Sequence, residues 1–271
     1  MKTFWRRSFA FLKRDLIESL SYKTSFFFEF FGKIIHLLIF FFISKMFGEN
    51  IGTYLRPYGG EYFPFVLIGV VFAGYQTSAL HSLANAIARE QSHGTLEAIF
   101  MTPAKPIHLV LAVGLWDLVF TFLHTLFFLA ASVLIFGVDL SSINILATFV
   151  MIFWTVVSLL GFGLISAGFL MAFKRGDPVS FILSGMSKLL SGVYFPIQMF
   201  PGWVQKIAEW IPFTHALAGL RKAILQGKSL SDLNGEISFL FLVAVIMIPV
   251  GLVFFNRMLQ HAQKAGTLAF S

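Results

Sequence analysis

Residues 143–195 read INILATFVMIFWTVVSLLGFGLISAGFLMAFKRGDPVSFILSGMSKLLSGVYF, and this stretch decides the fold. From Ile143 to Phe173 there is no charged side chain, and the run is longer than the roughly 20 apolar residues a helix needs to cross a bilayer. Lys174, Arg175, Gly176, Asp177 and Pro178 then interrupt it with charge and a helix breaker, before Val179 to Phe195 turns apolar again. Two spans joined by so short a turn predict an antiparallel hairpin.

Working outward, four further segments read the same way: Ser25 to Phe47, Tyr62 to Ala84, Ile107 to Phe136 and Ile237 to Phe255. The expected fold class is therefore an all-α polytopic membrane protein of six transmembrane helices, in one domain over residues 1–271. Composition agrees. The 271 residues are 57% hydrophobic and only 12% charged, against about 25% in a soluble domain, and mean hydropathy is +0.82. Thirty-five Phe bring the aromatic share to 17%, which suits lipid-facing surfaces and interfacial belts. Cysteine is absent, excluding disulfides and thiolate metal sites. The net charge of +7 falls between apolar stretches rather than on one face, so it speaks for orientation in a membrane and against nucleic acid.

Residues 1–24 differ from the spans. Trp5, Phe9, Leu12, Leu16 and Leu20 recur at helical spacing, with Arg6, Arg7, Lys13, Arg14 and Asp15 opposite, which predicts an amphipathic helix in the headgroup plane. No apolar core followed by a small-residue cleavage site precedes Ser25, which argues against a signal peptide. Six spans put both termini on one side. If that side is cytoplasmic it holds Lys2, Arg6, Arg7, Lys13, Arg14, Lys23, Arg89, Lys105, Lys174, Arg175, Arg257 and Lys264, against Arg56, Lys206, Arg221, Lys222 and Lys228 outside. Basic residues favour the cytoplasmic face, so the termini are expected inside, with residues 256–271 as a cytoplasmic tail.

On the same side lies Arg89-Glu90-Gln91-Ser92-His93-Gly94-Thr95-Leu96-Glu97-Ala98-Ile99-Phe100-Met101-Thr102-Pro103, too polar to span and too apolar for a plain loop. A short helix capped by Thr95, with Leu96, Ile99 and Phe100 on one face and Pro103 as its stop, would present an apolar knob rimmed by carboxylates to a partner. The segment resembles the coupling helix of type-two ABC transporter permeases, matched here by Glu90, Gly94, Thr95, Leu96, Glu97, Thr102 and Pro103.

A second segment, Ser191-Gly192-Val193-Tyr194-Phe195-Pro196, then Pro201-Gly202-Trp203, Pro212-Phe213-Thr214-His215 and Arg221, is similar to the same family's C-terminal signature. There the resemblance implies that the chain re-enters the outer leaflet as short helices before the last span, with Tyr194, Phe195, Pro196, Pro201, Trp203 and Pro212 at an outer gate. The physics agrees, because the prolines break a continuous helix and Trp203, Ile207, Trp210 and Ile211 form an apolar stripe.

The resemblance further implies a cytoplasmic ABC ATPase that binds ATP and Mg, a second permease copy, membrane lipid as surroundings and a bacterial inner membrane. In that cycle, pushing the coupling helix tilts the first and second spans against the fifth. The Gly-Thr-Leu-Glu form looks like the branch that exports drugs, lipophilic metabolites or lipid-linked oligosaccharides; a long-polysaccharide exporter and an ion-coupled secondary transporter are the alternatives. This chain itself is expected to hold no cofactor and no metal and to catalyse nothing. Gln226-Gly227-Lys228-Ser229 is no phosphate loop, since Lys222 stands where a Gly is required. Gly161-Phe162-Gly163 is no dinucleotide fingerprint, since Ser166 replaces the third Gly; Gly163 and Ala167 are expected to let helices approach closely.

Polar side chains inside spans are costly and mark candidate sites. Glu29, Lys33 and His36 share one helical face and read as a neutralised pair with a neighbour. Asp117 and His124, seven residues apart, either line a path or pair with Lys188, and both readings stand.

Overall fold

The computed structural model describes residue 17 and residues 23–47, 52–58, 60–94, 106–173 and 177–264. Long helices dominate them: α1 (Lys23–Phe47), α2 (Tyr62–Ser92), α3 (Pro106–Phe136), α4 (Ile145–Phe173), α5 (Pro178–Leu190), α6 (Gly202–Ala208), α7 (Pro212–Leu225) and α8 (Asn234–Lys264). A short helix, Gly52–Leu55, runs into the 3-10 turn Arg56–Tyr58 between α1 and α2.

The apolar runs became helices because lipid offers backbone groups no partner, leaving the intrahelical ladder to satisfy them. Among the described residues, four helices are long and apolar enough to cross a membrane by length and composition, beginning at Tyr62, Gly114, Ile145 and Leu230. Of the other two expected spans, α1 is 25 residues long, with Leu37–Met46 as its described apolar stretch. The fifth departs from expectation. α5 has 13 residues, about 20 Å at 1.5 Å per residue, which is short of a roughly 30 Å hydrocarbon core. Gly192, at φ +78°, and Pro196 follow it, and the helix does not continue to Phe195.

α2 is the buried centre: 67% of its most apolar window lies inside the protein, against 17% for α8. Phe65, Val66, Leu67 and Ile68 are fully enclosed, packed with Phe213, Leu217 and Leu220 of α7 and Met151 of α4. α4 is the scaffold against which α2, α7 and α8 lie. Small residues permit it. A Cβ on Gly163 would come within 2.4 Å of the Ala79 carbonyl oxygen of α2, and one on Gly251 within 2.4 Å of the Gly161 oxygen, so α4 meets both neighbours backbone to backbone. Ala167, fully buried beside Leu83 and Ile87, extends the same seam.

Two helices outrun their expected ends. α2 continues past Ala84 to Ser92, and α8 continues past Phe255 to Lys264, so the expected tail begins as helix. The two extensions share one cluster, in which Leu259 and Ala262 of α8 pack with Leu83 and Ile87 of α2 and Met171 of α4. The interfacial helix expected over residues 1–24 falls almost wholly outside the described residues.

Candidate functional site

At the far end of α2 the last turn carries Arg89, Glu90 and Gln91. His93 donates its N–H to the Arg89 carbonyl and Gly94 to that of Gln91, both at 3.0 Å, and Gly94 adopts φ +68°. A left-handed glycine just past a helix end is the usual stop, and it turns the chain out of α2. Glu90 is 4% exposed and Gln91 3%, both turned into the bundle. Helical phase explains this, since Glu90 lies on the face of α2 that buries Leu83 and Ile87. Thr95, Leu96, Glu97, Ile99, Phe100 and Pro103 lie outside the described residues. Arg89 reaches across to α3, its Nη2 3.8 Å from Oδ1 of Asp117. Asp117 is therefore placed against Arg89, not Lys188. The side chains of Glu29, Lys33 and His36 lie outside the described set.

Beside this end, Asp177 fastens three helices. Its Oδ1 accepts the Ser180 N–H at 3.0 Å, capping α5 with Pro178 at the first helical position. Its Oδ2 accepts from the Ser166 hydroxyl of α4 and lies 3.6 Å from Nδ1 of His81 on α2. Ser180 in turn donates its hydroxyl to the Leu80 carbonyl of α2 at 3.0 Å. Sequence reading took Asp177 as one charge of a turn; the dipeptide Asp-Pro ahead of an apolar run was the signal for a cap.

At the opposite end, Arg221 of α7, counted among the basic residues of the outer side, is buried to 3% exposure. Its Nε and Nη2 donate to the Phe65 carbonyl of α2 at 3.2 and 3.0 Å, and Nη2 also to the carbonyls of Gly192 and Val193 at 2.7 and 3.3 Å. The guanidinium lies 3.5 Å from the centroid of the Phe65 ring. The Gly192 and Val193 acceptors exist because α5 ends at Leu190, leaving the carbonyls that follow without helical partners. Gly69 makes the room, as a Cβ there would fall 2.2 Å from the Val193 oxygen. The neighbouring Lys222 is also taken, its Nζ 2.6 Å from Oε1 of Glu236 on α8.

The expected gate residues spread around this end. Tyr194 stacks on Phe40 of α1 with centroids 5.4 Å apart, and Phe195 lies 6.4 Å from Tyr62 of α2. Pro196 is buried, Pro201 caps α6, and Pro212 opens α7. Trp203 and Trp210 are 69% and 81% exposed, an apolar surface suited to headgroups. Gln226 to Ser229 is a turn leading into a capping box of Ser229 and Asp232, with no strand before it. His124 lies on α3 between Phe120 and Phe128, with ring centroids 4.1 and 6.3 Å away.

Long apolar helices fastened at both ends by buried polar groups, with broken short helices between α5 and α8, define a multi-pass membrane protein. More particularly, the chain belongs to the ABC-2 type transporter family, whose model matches residues 6–225. Among curated proteins it is similar to the linearmycin resistance permease protein LnrN of Bacillus subtilis (strain 168), at 36% identity over 64 residues. That stretch is 24% of this chain and 17% of the relative's length.

Proposed function

We propose that the chain is the permease of an ABC exporter that moves an amphipathic or lipophilic substrate, such as a drug, a lipid or a lipid-linked glycan, out of the cytoplasm. The observation that carries this reading is the family match across residues 6–225, joined to the place where the Gly-Thr-Leu-Glu segment begins, directly at the glycine stop of α2. The relative's name speaks of resistance to one compound, and the partial alignment supports the drug reading of the cargo. Two permeases would pair with two ATPases in a bacterial inner membrane, termini inward, the Asp177 end cytoplasmic and the Arg221 end outside.

Closure of the ATPases on ATP would push the segment from Gly94 to Met101 and so load α2. The bonds seen here change what happens next. α5 is fastened to α2 through Ser180 and Leu80 at one end and through the shared Arg221 at the other. The two helices are therefore coupled at two points, and load placed on α2 is passed to α5. Glu97→Lys in the assembled transporter tests the reading. Substrate-stimulated ATPase activity should fall by about tenfold while membrane insertion is kept, as expected for a lost docking contact; full coupling in that variant would refute the assignment.

A further inference from the structure

Three long helices end together on the side of the molecule that buries Arg221: α1 stops at Phe47, α2 starts at Tyr62 and α3 stops at Phe136. A cavity of about 550 Å³ lies among them, inside the range of about 300–1,000 Å³ usual for ligand sites. Its described walls include Phe41 and Lys45 of α1, Arg56 of the 3-10 turn, Glu61 and Phe63 at the start of α2, and Phe136 of α3. Gly137, at φ +67°, turns the chain out of α3 and lines the cavity as well.

The walls are aromatic on one part and charged on another. Phe41, Phe63 and Phe136 pack on one another, each pair of ring centroids between 5.0 and 5.3 Å apart. Phe63 is buried and the other two are half-buried, whereas Lys45, Arg56 and Glu61 are exposed. The Nζ of Lys45 lies 5.2 Å from the centroid of the Phe41 ring, so this ammonium is drawn over the aromatic part. Glu61 precedes the first turn of α2 without bonding to it, and its carboxylate is not spent on capping the helix. The nearby carboxylate of Asp139 is engaged elsewhere, accepting the Ser141 N–H at 2.9 Å.

Two cations and one carboxylate beside three packed rings ask for a ligand with three parts. These are an anion for the guanidinium and ammonium, an N–H cation for the carboxylate, and hydrocarbon for the rings. A soluble anion lacks the last part. A phospholipid brings it, and exposed Phe42, Met46, Leu134 and Ile135 on the adjoining turns of α1 and α3 give its chains a lipid-facing path.

We propose that this cavity seats the headgroup of an amino phospholipid, with its phosphodiester between Lys45 and Arg56, its primary ammonium on Glu61 and its upper methylenes over the three phenylalanines. Basic pockets between membrane helices bind phosphate headgroups, and the carboxylate adds a preference among them. The site belongs to one end of one chain, whichever way that end faces, and it needs no ATPase and no cargo. It therefore stands or falls apart from the export reading.

The test uses the full chain, delipidated in detergent, with native mass spectrometry counting bound lipid. Phosphatidylethanolamine, phosphatidylcholine and phosphatidylglycerol of the same acyl chains are titrated separately. Phosphatidylethanolamine should bind about tenfold more tightly than phosphatidylcholine, whose quaternary amine offers the carboxylate no N–H. Glu61→Gln should remove most of that preference and leave phosphatidylcholine binding unchanged. Lys45→Ala combined with Arg56→Ala should weaken both lipids by about tenfold or more. All three side chains are exposed, so thermal unfolding of the lipid-free variants should match the parent's, and Lys206→Ala, at an exposed cation elsewhere, should bind lipid like the parent. Equal affinity for the three lipids, binding that ignores the double substitution in folded protein, or an equal loss in Lys206→Ala overturns the site. Tighter binding of phosphatidylglycerol that Glu61→Gln does not alter marks an acidic-lipid site and overturns the amino assignment. Inorganic phosphate is the last arm: if it raises the unfolding temperature as far as phosphatidylethanolamine does, the ligand is a soluble anion and the lipid proposal fails.

Discussion

The two ends of α5 are held by opposite charges, and they differ in how each charge is satisfied. At the Arg221 end a cation is sealed inside the protein with carbonyl oxygens and an aromatic face around it. At the Asp177 end a carboxylate, about one sixth exposed, accepts an amide and a hydroxyl and faces a half-buried imidazole. Carbonyls belong to the backbone and cannot swing away, whereas serine and histidine side chains can rotate. The first knot therefore fixes where the chain runs, and the second can loosen without unthreading the fold.

That contrast predicts a ranking. Arg221→Ala should be the most damaging change, because it orphans carbonyls of Phe65, Gly192 and Val193 in a sealed site; a loss above about 3 kcal/mol is expected, read as a collapse of thermal stability in detergent. Arg221→Lys should rescue little, since one ammonium cannot span acceptors on α2 and on the turn after α5. If lysine restores stability, the knot is a charge effect and the contrast fails.

Next comes Gly69→Leu, which drives a side chain into the Val193 carbonyl and the guanidinium. A cost of about 1–3 kcal/mol or more is expected from overpacking, visible as a lowered unfolding temperature. Asp177→Ala should cost about 0.5–2 kcal/mol, the usual range for a lost helix cap, with faster hydrogen exchange confined to the first turn of α5. Exchange that rises instead around Gly192 would show that the two knots are not separate. Smallest should be Arg89→Ala: its pair with Asp117 is 3.8 Å long and partly exposed, so at most about 1 kcal/mol is expected by thermal unfolding.

Much of the fold could be read from the sequence because lipid enforces it. The uncharged run from Ile145 to Phe173 had no alternative to helix, and Gly163 announced a close crossing through its size alone. What escaped reading was set by tertiary contact. Ala84 to Ser92 looks too polar to belong to a span, yet α8 and α4 cover one face of it and the helix runs on. Val179 to Phe195 looked long enough to cross, but composition does not register that Gly192 turns the backbone and Pro196 ends its ladder. The burial of Arg221 could not be read because its partners are carbonyls, which no side-chain pattern displays. Glu90 fitted a family motif, but the motif does not show that its phase on α2 turns it inward. The coupling segment itself was legible only through its resemblance.

The length of α2 has a mechanical consequence. Thirty-one residues make a rod of about 46 Å. The Ser180 bond to Leu80 lies about 18 Å from the Ser92 tip and about 22 Å from Phe65, at 1.5 Å per residue. A stiff beam pivoting there has nearly equal arms. A nudge of an ångström at the tip would thus reappear, reversed and scarcely diminished, where Phe65 meets the arginine.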